Sequence, residues 1–276
     1  MSRYFKLVNF ELNRFIKIYL VLAGVIILSQ IAGVILQANS YLRMASEIIN
    51  VEMLSRSEFI NQYGTMSFYQ ITQSIWFDGP IALSIVSLLI YVFFIWYRDW
   101  LGKNTFVYRL LMLPTARINI YLSKATVIFL MVLGLIALQL VLLPIEINLL
   151  KWMVPLDFRT DMSIYEILMT NYMTILIPLT ITEFIINYGT GLMVVFIVFT
   201  AILFERSYRW KGILFGLIYG AFAVVLFFMP MILQSTILYE FFYPLELLAL
   251  HFVTGLIVMG LSVWVGNFLL NKKIRI

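Results

Sequence analysis

The sequence predicts an all-α polytopic membrane protein with six transmembrane helices, an N-terminal amphipathic interfacial helix and both termini cytoplasmic. Three observations carry that reading. Of 276 residues, 63% are hydrophobic and only 12% charged, against about 25% charged in a soluble domain. Apolar runs long enough for about 30 Å of hydrocarbon recur along the chain. The basic residues then segregate: six crossings leave Arg43, Arg56, Lys151 and Arg159 on one side and the other 15 of the 19 Lys and Arg on the opposite side. Basic residues near span ends prefer the cytoplasm, which sets the orientation.

Residues 1–15 are too polar to span. Tyr4, Val8, Leu12 and Phe15 fall on one helical face while Arg3, Lys6, Asn9 and Asn13 lie largely elsewhere, which predicts a helix in the plane of the interface. Spans follow at about 16–36, 81–97, 121–143, 183–204, 213–233 and 247–270. Pro80 opens the second span and Pro144 closes the third, since proline cannot donate a backbone N–H. Residues 37–79 form a long outer loop with Glu47, Glu52, Glu58 and Asp78. Between residues 164 and 204 the chain is nearly uncharged and longer than one crossing needs. The charge bias favours a single crossing there, which leaves 162–182 re-entrant, flat or part of span four.

The polar segment 98–120 connects spans two and three. Together with Lys124 it carries five cations (Arg98, Lys103, Arg109, Arg117, Lys124) against one acid, Asp99. Phe106, Leu110 and Leu113 recur at helical spacing with Val107 and Leu111 beside them. This predicts a short amphipathic helix over 105–113, stopped by Pro114. Its apolar face needs a surface, either lipid headgroups or a socket on another protein.

Several chemistries are excluded. With no cysteine and one histidine, His251, the chain has no thiolate nucleophile, no cysteine metal site and no histidine cluster, so the sequence predicts no metal site. Intramembrane carboxylates are costly and therefore candidates for function, which singles out Glu146 and Glu183, with Asn187 near the second, as positions on a translocation path or as structurally paired groups. Gly212, Gly216 and Gly220 repeat every fourth position and predict close helix packing.

In order along the loop, Thr105, Leu110, Leu113, Pro114, Arg117 and Lys124 follow the pattern of Thr, apolar residues, Leu-Pro, Arg and a span-opening Lys. With the basic N-terminus and six spans, the chain resembles the membrane subunit of ATP-binding-cassette exporters of the drug and polysaccharide export class. The turn Phe204–Gly212 also looks like that class's inner turn. The resemblance implies a permease of the bacterial cytoplasmic membrane whose loop helix seats in an ATPase. Thr105, Phe106, Arg109, Leu110, Leu113, Pro114 and Arg117 would then form the coupling element. No G-x-x-x-x-G-K-[ST] phosphate loop occurs, so the chain is expected to be a transporter subunit rather than an enzyme, with ATP and Mg held by a partner ATPase. A second permease subunit, identical or paralogous, is also implied. The expected cargo is amphipathic or hydrophobic, of the peptide-antibiotic kind, and nucleic acid is not expected as a partner. Two rival readings are a permease-like subunit that relays a signal and a secondary transporter, though the halves lack the repeated broken helices of the latter.

Overall fold

The computed structural model describes residues 3–101, 106–170, 173–236 and 241–274. The chain runs through α1 (Arg3–Glu52), short helices α2 (Arg56–Tyr63) and α3 (Phe68–Thr72), then α4 (Ile75–Trp100). The short α5 (Phe106–Leu111) precedes α6 (Ile118–Met153), and α7 (Ile164–Thr170) and α8 (Met173–Leu176) lead into α9 (Ile181–Tyr208). Helices α10 (Trp210–Thr236) and α11 (Pro244–Phe268) follow, and a π-helical turn, Leu269–Lys273, ends the last. Among the described residues, α1, α4, α6, α9, α10 and α11 are long and apolar enough to cross a membrane. The protein is an all-α, multi-pass membrane protein.

Four boundaries differ from the sequence reading. Pro80 does not open the second span: α4 begins at Ile75 and carries Pro80 inside it, and Ser29 Oγ donates to Trp76 O (3.0 Å), the carbonyl that the missing proline N–H leaves free. Residues 3–15 are not a separate helix, because α1 continues unbroken for 50 residues. No proline or glycine lies between residues 3 and 23, and extending a helix costs less than nucleating a new one. The outer loop accordingly loses residues 37–52 to α1, which ends where Met53 takes a left-handed φ of 51°. Pro144 does not close the third span but lies inside α6. Proline in a helix interior costs about 3 kcal/mol, and leaving the helix within hydrocarbon would strand more backbone groups than the one it frees. The buried Leu142, Leu143, Ile147 and Leu150 on both sides of it hold the helix together.

What remains of the segments between the spans at 53–74 and 154–180 includes ends ordered by local hydrogen bonds. Ser55 caps α2 in a reciprocal box: Glu58 N donates to Ser55 Oγ (3.3 Å) and Ser55 N donates to Glu58 Oε2 (2.8 Å). Ser163 and Glu166 repeat the arrangement at α7. Each pairing satisfies helix-terminal N–H groups that would otherwise lack partners, and the donated bonds hold both carboxyls below their ordinary range. The single crossing expected after residue 164 is α9, preceded by α7 and α8 as short pieces.

The chain divides into two compact units. The first contains residues 1–14, 88–130 and 180–276. Met193, Ile197, Ala223 and Val258 form an apolar cluster across α9, α10 and α11. Polar side chains tie the same helices to one another and to α6. Tyr121 Oη donates to Phe196 O (2.8 Å), Thr200 Oγ1 donates to Ser262 O (3.0 Å), and Tyr219 and Ser262 share a 2.7 Å bond. Such bonds hold helices together where apolar burial gives no advantage over lipid. The second unit contains residues 15–87 and 131–179. Its core joins α1, α3, α4, α6, α7 and α8, and a two-residue parallel pairing links Met66–Ser67 to Arg159–Thr160.

The glycine repeat divides by position. Both Gly212 and Gly216 are buried. A Cβ on Gly212 would collide with Phe204 O, and one on Gly216 would lie 3.0 Å from Ala201 O, whereas one on Gly220 would meet nothing within 4 Å beyond its own helix backbone and chain neighbours. The close approach therefore involves the first two glycines and not the third. Gly216→Leu is expected to destabilise the α9–α10 hairpin by about 1–3 kcal/mol through overpacking. Gly220→Ala should be neutral or stabilising by up to ~1 kcal/mol. Thermal unfolding in lipid nanodiscs checks the pair, and equal losses at both positions would contradict the packing.

Candidate functional site

The segment predicted to couple to a partner begins at α5. The helix is short because Pro114 removes the next donor; Met112 N still reaches Tyr108 O (3.1 Å), and Leu113 N reaches Leu110 O (3.3 Å) in a tighter turn. Its inward face is Val107, Leu110 and Leu111, all buried within this chain. Leu110, read from the sequence as part of the helix's apolar docking face, is only 4% exposed and is part of the fold's own packing. Phe106 is half-buried and stacks on Phe10 of α1, ring centroids 5.7 Å apart. What faces outward is Arg109, Met112 (66% exposed), Leu113 (40% exposed) and Pro114. Leu113 lies past the last helical turn, which explains why it leaves the buried row. Thr105 lies outside the described residues.

Arg117 also turns inward. Its Nη1 donates to Leu270 O (2.6 Å) and Ile274 O (3.2 Å), supplying partners for carbonyls at the end of the last helix. It is a cap on this chain rather than a free contact for another. Arg3 donates to Pro114 O, and Asn119 Nδ2 donates to Thr115 Oγ1 (2.7 Å). The turn after α5 is thus fixed from both sides.

Behind α5 lies a cluster of charges absent from the sequence reading as a group. Lys124, 0% exposed, donates to Glu11 Oε1 (2.7 Å), Asp99 Oδ2 (2.5 Å) and Ile95 O (3.0 Å). A lysine has three N–H donors, so each has an acceptor. The second oxygens are served by arginines: Arg98 Nη2 donates to Glu11 Oε2 (2.8 Å) and Arg14 Nη1 donates to Asp99 Oδ1 (2.7 Å). All four carboxylate oxygens therefore accept charge-assisted bonds, the stronger kind. The Lys124 Nζ also lies 5.2 Å from the Trp96 ring centroid.

This cluster and α5 share one side chain. The Arg14 guanidinium stands 5.2 Å from the Phe10 ring centroid and 5.0 Å from that of Phe106. Phe106 is therefore connected through Arg14 to Asp99 at the end of α4 and through Lys124 to the start of α6. The N-terminal stretch of α1 contributes Glu11 to the same network. Rings and ions thus join α5 to residues of α1, α4 and α6.

The positions predicted for a translocation path separate. Glu146 belongs to the second unit, is 0% exposed, and neither of its oxygens has a hydrogen-bond partner among the described residues. Glu183 and Asn187 belong to the first unit, one helical turn apart on α9. Glu183 is exposed and its N–H donates to the Thr180 cap (3.2 Å), so it is a first-turn residue of the fourth span. His251 Nδ1 is within 2.9 Å of Leu247 O in its own helix. In comparison with known proteins, the chain matches no family model, no curated protein and no solved structure.

Proposed function

We propose that this chain is the membrane subunit of an ATP-binding-cassette exporter, oriented with both termini in the cytoplasm of a bacterial cell. A separate ATPase drives it through α5. The observation that carries the reading is the anchoring of α5: an exposed patch of Arg109, Met112, Leu113 and Pro114 whose buried side is tied by Phe106 and Arg14 to the Lys124 cluster. A helix that merely rested on headgroups would need no ionic connection to the ends of three long helices.

In this mechanism the ATPase chain holds ATP and Mg and supplies the nucleotide-driven closure. A second permease subunit, a copy or a paralogue, provides the opposing half. Movement of the ATPase pushes α5, and the ion network conveys the push to α1, α4 and α6 as a rigid-body shift. Phe106 acts as the inner contact, while Arg109 and Leu113 meet the ATPase directly. The cargo that suits an apolar interior with few polar groups is amphipathic or hydrophobic. The decisive experiment is to co-express the chain with an ATPase encoded beside it and carrying the phosphate-binding loop. Stable co-purification and ATP-dependent export are expected. Co-purification without any movement of cargo would instead favour a signal-relaying subunit.

A further inference from the structure

We propose that Glu146 is the docking point for a positively charged hydrogen-bond donor, the ammonium or guanidinium group of an amphipathic ligand. The inference rests on the exporter reading and names the cargo's chemistry. Glu146 lies in the row Gln139–Leu143–Glu146–Leu150, which the three- and four-residue spacing puts on one face of α6. Leu143 and Leu150 in that row belong to the apolar core of the second unit. Its neighbours in that row are therefore apolar, and no described residue gives the carboxyl a hydrogen bond.

Buried acceptors left without donors are costly, and a carboxylate more so than any neutral group. Both oxygens of Glu146 are in that state among the described residues. The nearest cations along the chain are already used: Lys151 and Arg159 both pair with Asp161 (3.7 and 2.9 Å). No described residue supplies the missing donor, and a charged nitrogen brought in by a ligand would supply it best.

A second polar point lies on the same face. Gln30 Nε2 donates to Gln139 Oε1 (3.1 Å), and this leaves Gln30 Oε1 and Gln139 Nε2 buried without partners. Seven residues separate Gln139 from Glu146, about 10 Å of helical rise. Between them α6 offers Leu143 while α1 runs Gln30–Val34–Ala38, the last two fully buried. A ligand with a cationic head at Glu146 and a polar group at the glutamines would need an apolar body about 10 Å long, lying where Leu143, Val34 and Ala38 now pack. Because Glu146 is fully covered in this conformation, such a ligand enters only when the core of the second unit opens.

The test uses the full chain alone in lipid nanodiscs, with dodecylammonium as the probe and dodecyl sulfate and dodecanol as controls. Titration calorimetry against empty nanodiscs should show dodecylammonium binding at least about tenfold more tightly to the wild type than to Glu146→Gln. The two controls should not distinguish the proteins. Glu146→Asp, which keeps the charge, should retain most of the affinity and covers the case in which the glutamine variant fails to fold. Equal dodecylammonium affinity in wild type and Glu146→Gln, with a proton alone filling the site, overturns the proposal. This readout is independent of the ATPase. Loss of amine selectivity with co-purification intact sinks the Glu146 site only. Amine binding in a chain that recruits no ATPase sinks the exporter reading on which it rests.

Discussion

Replacing Lys124 by methionine is expected to lower stability by about 3–5 kcal/mol, the range for breaking a buried ion pair from one side. The substitution keeps the length of the side chain and removes its three donors. Glu11 Oε1, Asp99 Oδ2 and Ile95 O then lose their partner where water cannot replace it. The arginines limit the damage, since each carboxylate keeps one guanidinium bond. Two lost bonds to charged acceptors, at about 1.5–3 kcal/mol each, still account for the effect. Lys17→Met, at an exposed lysine of α1, is the control and should stay within about 0.5 kcal/mol. Asp99→Asn combined with Lys124→Met should cost less than the sum of the singles, because both remove the same 2.5 Å contact. Thermal unfolding and the amount of protein recovered from membranes both report it. A Lys124→Met protein as stable as Lys17→Met would show that the cluster does not hold these helices together.

Reversing the charge at Arg109 should have the opposite profile, a large functional loss with little structural cost. Arg109 is exposed on α5 and forms no ion pair among the described residues. Arg109→Glu is expected to leave unfolding within about 0.5 kcal/mol of wild type. Co-purification of the ATPase should fall at least about tenfold, equivalent to ~1.4 kcal/mol or more of association energy. Export should fall with it. Arg117→Glu should behave differently, because Arg117 caps Leu270 and Ile274 and its loss weakens the fold first. A variant at Arg109 that keeps full ATPase association and export would remove α5 from the docking surface.

The spans were legible because hydrocarbon imposes its own arithmetic: an apolar run of about 20 residues has few alternatives to a helix. Their ends were harder to read. Pro144 reads as a stop in water, yet inside α6 the backbone on either side is held by buried Leu143 and Ile147. The stripe on α5 was displaced for a related reason. Spacing marked Phe106, Leu110 and Leu113, but the helix ends at Leu111, so Val107, Leu110 and Leu111 turn inward and Leu113 is released.

The Lys124 cluster was hidden by distance along the chain. Glu11 with Arg14, Arg98 with Asp99, and Lys124 each resemble ordinary interfacial charges, and only the fold shows that they meet. Two clues did exist: Asp99 is the one acid of an otherwise basic loop, and Lys124 stands between Ser123 and Ala125 at the onset of an apolar run. Glu146 was visible as an intramembrane acid. That no described residue gives it a hydrogen bond is a property of three-dimensional packing and could not be read from its neighbours in sequence.

The account depends most on which side of the membrane α5 occupies. The chain has no cysteine, so a single Met112→Cys substitution gives one exposed thiol beside Arg109. A membrane-impermeant maleimide should leave it unlabelled in intact cells and label it in inside-out vesicles, with labelling blocked when the ATPase is bound. Rapid labelling in intact cells would put α5 outside and contradict the proposed drive.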